Sequence, residues 1–152
     1  MKRLVIQEEK QFGEVEQMQG DNMKWDYKIE LKDESVFEKI AEKFEVDFPQ
    51  DLRSFIIKNN GAYPNKNLIK INGVERVFES VLSFNEHEEE GLTVFDVLES
   101  NHSKAAIPFG MDPFGNLFFY SLVNGEILFY AHEEDAFVHS DINLEEFLAN
   151  LY

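Results

Sequence analysis

A chain of 152 residues with no cysteine and a formal net charge of −16 is sized for one domain with a real hydrophobic core, and has neither a disulfide framework nor thiolate chemistry. The charge is uneven: residues 1–76 hold 13 bases against 15 acids, a net of −2, and residues 77–152 hold one base, Lys104, against 15 acids, a net of −14. A field of that sign repels DNA, RNA and anionic lipid and attracts cationic partners, although acidity also serves solubility alone.

The absence of cysteine suits a reducing cytoplasm. Met1 to Ile6 starts like a secretion signal, but Gln7-Glu8-Glu9-Lys10 ends the apolar run too early. No run approaches the roughly 18 apolar residues of a membrane-spanning helix. The expectation is a soluble, cytoplasmic protein that binds neither nucleic acid nor membrane.

Residues 1–24 read as a polar extension or hairpin, and residues 25–152 as a single domain. Trp25, Tyr27, Ile29 and Leu31 alternate with polar residues, which predicts a short strand. Ser35 with Glu38 forms a capping box, with Asp33 as an alternative cap, ahead of a helix carrying Val36, Phe37, Ile40, Ala41 and Phe44. Pro49 opens a second helix at its first helical position; Leu52, Phe55 and Ile56 form its stripe, and Gly61 sits where a C-terminal glycine belongs.

The period then changes to two. Leu68 to Ile71 and Val74 to Phe84 read as strands joined by Asn72-Gly73, a pair typical of tight hairpins. Asn85 to Gly91, with Glu86, Glu88, Glu89 and Glu90, is an exposed acidic loop, and Val94 to Leu98 a short helix. The segment Ala106 to Tyr120 is the most telling part of the chain. Pro108, Gly110, Asp112, Pro113, Gly115 and Asn116 punctuate an apolar, aromatic run, which predicts a strand, a compact loop and a second strand. Another Asn-Gly pair, Asn124-Gly125, predicts a hairpin into Ile127 to Ala131, and Asn143 with Glu146 predicts a capped final helix. This order implies an α+β fold: a largely antiparallel twisted sheet with helices packed mainly on one face. The aromatic strand is either central and covered twice, or lines a groove on its second face.

Three segments together carry a resemblance. Phe48 to Phe55 with Asn59-Asn60-Gly61, the loop Ile107 to Asn116, and Ile127 to Glu133 resemble, in order and spacing, the SUKH superfamily of Smi/Knr-type cell-wall-synthesis regulators and bacterial immunity proteins. The similarity covers roughly residues 33–150. Ala62 stands where a second glycine is common, and Tyr120-Ser121 where an acid is common. The resemblance implies helices on a twisted sheet and a non-catalytic binding role, with Pro49, Gly61, Pro108, Gly110, Asp112, Gly115 and Asn116 as its structural motif. For the immunity branch it implies a cognate toxin, often a nuclease, whose basic surface an acidic protein can mask. The alternatives are an intracellular regulatory scaffold like the fungal members, or a small-ligand-binding domain.

Residue chemistry adds no catalytic, metal or cofactor site. The four histidines show no His-x-x-x-His spacing. Asp112 and Asn116 read either as turn formers or as ligand contacts, with too few oxygens for a calcium loop. Candidate partner-binding residues are Glu86, Glu88, Glu89 and Glu90, and the run Glu133, Glu134 and Asp135 beside Phe129 and Tyr130. Aromatic anchors supply binding energy there, and charges steer.

Overall fold

The structure, a computed structural model, describes residues 23–100 and 105–152. The expected N-terminal extension, apart from Met23 and Lys24, lies outside the described residues.

Strand β1 (Trp25–Asp26) pairs antiparallel with β2 (Tyr63–Pro64). The strand expected through Leu31 stops early because Tyr27 takes φ 61°, a left-handed backbone that leaves the ladder. The Ile29 N–H donates instead to the Asn60 carbonyl at 2.8 Å. Helix α1 (Val36–Phe44) buries Val36, Phe37 and Ile40. Of its two candidate caps the structure uses Asp33, whose Oδ1 accepts the Ser35 N–H at 2.9 Å, while Ser35 makes no side-chain cap bond. In α2 (Gln50–Asn59), Pro49 has ψ 129° and is therefore the residue before the helix, one place earlier than expected. Its carbonyl accepts the first helical bond, from Arg53 N–H at 3.0 Å. Gly61 closes α2 at φ +68°, where an added Cβ would lie 2.7 Å from Ile29 Cδ1.

Strands β3 (Leu68–Ile71) and β4 (Val74–Val77) form the expected hairpin, with Asn72 and Gly73 both at positive φ. The long strand expected over Val74 to Phe84 divides. Only β4 belongs to this hairpin, and β5 (Ser80–Val81) joins another sheet, with Phe78 turned into the core between them. Helix α3 (Val94–Ser100) begins with a reciprocal pair that the sequence reading missed: Thr93 N–H donates to Asp96 Oδ2 and Asp96 N–H to Thr93 Oγ1, each at 3.1 Å.

Strands β5, β6 (Ala106–Met111), β7 (Leu117–Ser121), β8 (Glu126–Ala131) and β9 (Ala136–Asn143) form one antiparallel sheet in sequence order. The β7–β8 connection is not a two-residue turn: residues 122–125 form it, and Gly125 alone takes positive φ. Strand β9 has no counterpart in the sequence reading, since Phe137 and Val138 are adjacent apolar residues and His139, Ser140 and Asp141 are consecutive polar ones, so the sequence does not alternate. Helix α4 (Leu144–Ala149) has the expected capping box in full, with Asn143 Oδ1 accepting from Glu146 N–H at 2.8 Å and Glu146 Oε1 from Asn143 N–H at 2.9 Å.

Phenylalanine fills the core. Phe78 meets Phe109, Phe118, Phe147 and Trp25 at ring-centroid distances of 5.8, 5.1, 5.3 and 6.4 Å, most of them edge to face, an arrangement that stabilises by about 0.5–1.5 kcal/mol per pair beyond area burial. Helices α2 and α4 lie on the sheet face of Phe118: Phe147 packs on Phe118, and the Tyr120 hydroxyl donates to Asp51 Oδ1 at 2.8 Å. The other face carries Phe119, fully buried beside Phe137 and Tyr130. The aromatic strand is covered on both faces at Phe118 and Phe119, the first of its two readings. Gly110 is not a turn glycine. It lies in β6 without positive φ, and an added Cβ would stand 2.1 Å from Phe78 Cε1. Pro108 sits in the same strand where the register shifts, as proline within a sheet does beside a bulge.

Candidate functional site

The loop between β6 and β7 closes with Asp112 N–H donating to the Asn116 carbonyl at 3.0 Å. The buried Asp112 carboxylate accepts three bonds from its own loop: Phe114 N–H (2.9 Å) and Asn116 N–H (2.8 Å) on Oδ1, and Asn116 Nδ2 (2.8 Å) on Oδ2. These are turn bonds, so the geometry fits the turn-forming reading of Asp112 and Asn116. Asn116 also reaches across, its Oδ1 accepting the His132 N–H at 2.9 Å. His132 Nε2 lies 3.0 Å from the Phe114 carbonyl; a carbonyl only accepts, so this nitrogen carries the proton. Gly115, at φ +91°, makes the approach possible, since a Cβ there would lie 3.2 Å from the same Nε2. Loop 112–116 and the β8–β9 turn at residues 132–135 are therefore bound to each other.

This unit presents Glu133, Glu134 and Asp135 to solvent. Tyr130 packs against Phe137 at 5.0 Å, and its hydroxyl donates to Asp135 Oδ1. That bond holds its phenol above the usual tyrosine range. Phe129 has a different place from the one expected. It is fully buried, opposite Phe118 and 4.4 Å beneath the Arg76 guanidinium, and belongs to the core. Phe114 takes the exposed position instead, 72 % accessible at the tip of the loop and beside the acidic turn. The sequence reading passed over it; the available signal was an aromatic residue placed inside Asp-Pro-Phe-Gly-Asn, where turns favour polar residues.

The other acidic loop is less uniform than its composition. Glu86 pairs with Lys39 at 2.9 Å. Glu88 turns inward and accepts from Ser83 Oγ (2.7 Å) and Asn85 Nδ2 (2.8 Å). The bonds from Asn85 and Ser83 hold its carboxyl below the usual range against the opposing effect of burial. Glu89 and Glu90 are left exposed. Buried Asn60 secures this region by accepting Phe84 N–H on Oδ1 (2.7 Å) and donating to the Ile29 carbonyl (3.1 Å). The sheet does not bring the two acidic loops together: one follows β5 at one edge, and the other joins β8 to β9 at the opposite edge.

One acid–base pair escaped the sequence reading. Glu126 Oε1 lies 3.0 Å from His139 Nδ1, across the register shift between β8 and β9, and Glu126 Oε2 accepts Asp141 N–H at 3.0 Å. Burial pushes the Glu126 carboxyl up, but the bonds from His139, Asp141 and Asn124 outweigh it and bring it below the usual range. The Glu126 bond raises the His139 imidazole. Asp141 has φ 63°, so the pair holds an irregular strand in place. Among the described residues no group of three or more His, Asp or Glu is placed to hold a metal ion, and no helix is long and apolar enough to cross a membrane.

The model of the SMI1 / KNR4 family (SUKH-1) matches residues 32–150. No curated protein matches the chain.

Proposed function

From the premise that the chain belongs to the SMI1 / KNR4 family (SUKH-1), we propose that it is a non-catalytic cytoplasmic binding protein of the immunity type, which neutralises a cognate toxin by masking its basic surface. The observation that carries this reading is the charge split, −14 in residues 77–152 against −2 in residues 1–76, with Glu133, Glu134 and Asp135 exposed on a turn braced by His132 and Asn116. A nuclease toxin carries a basic surface to hold a polyanion, and an acidic protein steered to it gains association rate more than lifetime. Phe114, exposed next to the acidic turn, supplies the aromatic contact in place of the buried Phe129, and Tyr130 holds Asp135 through its hydroxyl.

The test is a pull-down from source lysate at low and high salt, followed by binding kinetics with the retained protein. One dominant basic partner released by salt supports the proposal. Replacing Glu133, Glu134 and Asp135 by Lys then slows association at low salt and much less at high salt. Binding whose rate and salt dependence both survive that replacement refutes the electrostatic mechanism, and many partners insensitive to salt favour a regulatory scaffold.

A further inference from the structure

The chain contains three Asn-Gly pairs: Asn60-Gly61, Asn72-Gly73 and Asn124-Gly125. In this dipeptide the glycine nitrogen can reach the asparagine side-chain carbonyl carbon, because no Cβ blocks the approach. The fold restrains the three pairs to different degrees. Asn60 is 1 % exposed, and both ends of its amide are bonded, Oδ1 to Phe84 N–H and Nδ2 to the Ile29 carbonyl. Asn124 is on the surface but tied twice to Glu126, accepting its N–H at 3.0 Å and donating to its Oε1 at 3.3 Å.

Asn72 has neither restraint. It is exposed at the tip of the β3–β4 hairpin, and no hydrogen bond to its side chain is present among the described residues. The last ladder pair is Ile71 with Val74, which leaves the Asn72–Gly73 peptide beyond it. Gly73 is equally open, with nothing within 4 Å of the position a Cβ would take.

We propose that Asn72 is a site of spontaneous covalent modification, by deamidation through a cyclic imide. The Gly73 nitrogen attacks Asn72 Cγ and forms the new C–N bond. The Cγ–Nδ2 bond breaks, and ammonia leaves with the proton that the Gly73 nitrogen gives up. Water then opens the imide. Cleavage at Cγ gives an ordinary aspartyl residue at this position, and cleavage at the backbone carbonyl gives an isoaspartyl link. No redox partner is required. Both products add one negative charge beside Glu75, the cross-strand partner of Lys70. Aspartate tolerates positive φ and keeps the turn. The isoaspartyl form routes the backbone through an extra carbon, which a two-residue turn cannot absorb without disturbing the Ile71–Val74 pair.

The experiment incubates the full, folded chain in mildly alkaline buffer and follows each Asn-Gly peptide by mass spectrometry, reading a gain of about 1 Da. A parallel sample is kept in denaturant. In the folded chain residue 72 is expected to convert about ten-fold faster than residue 124, whose amide must first leave its bonds. Residue 60 is slowest, since it reacts only through opening of the structure. In denaturant the three rates converge. Conversion at residue 72 no faster than at residue 124 in the folded chain overturns the proposal. So does an unchanged order of rates in denaturant, because local sequence rather than fold would then set them.

Discussion

Gly110→Ala tests whether the aromatic core has the close contact that the structure assigns it. The new methyl would stand 2.1 Å from Phe78 Cε1, 2.8 Å from Cζ and 3.1 Å from Cδ1. Carbon atoms rest about 3.5–4.0 Å apart, so the ring or the β6 backbone must move by roughly 1.5 Å. Phe78 has no free direction, because Phe109, Phe118, Phe147 and Trp25 surround it. Overpacking of this kind costs about 1–3 kcal/mol, and the boxed ring places Gly110→Ala at about 3 kcal/mol. At this chain length that is a fall in Tm of about 6–12 °C. The readout is urea unfolding followed by Trp25, the single tryptophan, whose indole lies edge-on to Phe55 and Phe78. Phe78→Leu should absorb part of the clash, so the double variant is expected to be at least about 1 kcal/mol more stable than the two single costs sum to. A Gly110→Ala protein within about 0.5 kcal/mol of the parent, or a double-mutant cycle without coupling, refutes the close-approach account.

Asp112→Ala strands two backbone N–H groups and the Asn116 amide in the β6–β7 loop. A loss of about 2–3 kcal/mol is expected in the same unfolding assay, together with altered amide signals at His132, because Asn116 links the two turns. For the Glu126–His139 pair the folded imidazole pKa is raised, so its contribution to stability is complete below the unfolded value of about 6.5 and is lost as pH rises through the folded value. Glu126 is lowered, so its contribution holds above the unfolded carboxyl value and is lost as pH falls through the folded one. The pair is thus most effective between about pH 4.5 and 6.5. An NMR titration of His139 should give a pKa above about 6.5, returning toward it in Glu126→Gln; an unshifted His139 in the parent contradicts the pairing.

Local chemistry was legible where one element decides its own shape. Asn72-Gly73 needs only its own backbone to make the hairpin, and Asn143 with Glu146 needs only the helix that they open. What escaped depends on partners distant in sequence. Alternation from Trp25 to Leu31 predicts a strand, yet Asn60, thirty-one residues after Ile29, captures that segment. Val74 to Phe84 reads as one strand, but Phe78 is drawn into the aromatic cluster, and the strand breaks there. Strand β9 pairs along β8 through backbone bonds that its side chains do not announce. In the candidate site the turn-forming residues were legible one by one, but the contact of His132 with Gly115 and Phe114, which ties two distant turns together, was not. Phe129 lies in the core and Phe114 on the surface, a difference the sequence hides for a simple reason: composition marks aromatic residues, and only the three-dimensional packing says which ones reach water.

The strictly consecutive order β5–β6–β7–β8–β9 bears on how the protein is made. From β6 onward each strand finds its neighbour across one short connection, so residues 106–143 can pair by successive hairpin closures, each of low entropic cost. The β1–β2 pair must instead join Trp25 to Pro64, across α1 and α2. During refolding the C-terminal meander should therefore gain exchange protection first, and the Trp25 signal should report the later docking of the N-terminal half. An order of events set by connectivity also means that residues 106–143, which hold six acids and no Lys or Arg, take shape before the bases of the N-terminal half are brought near them.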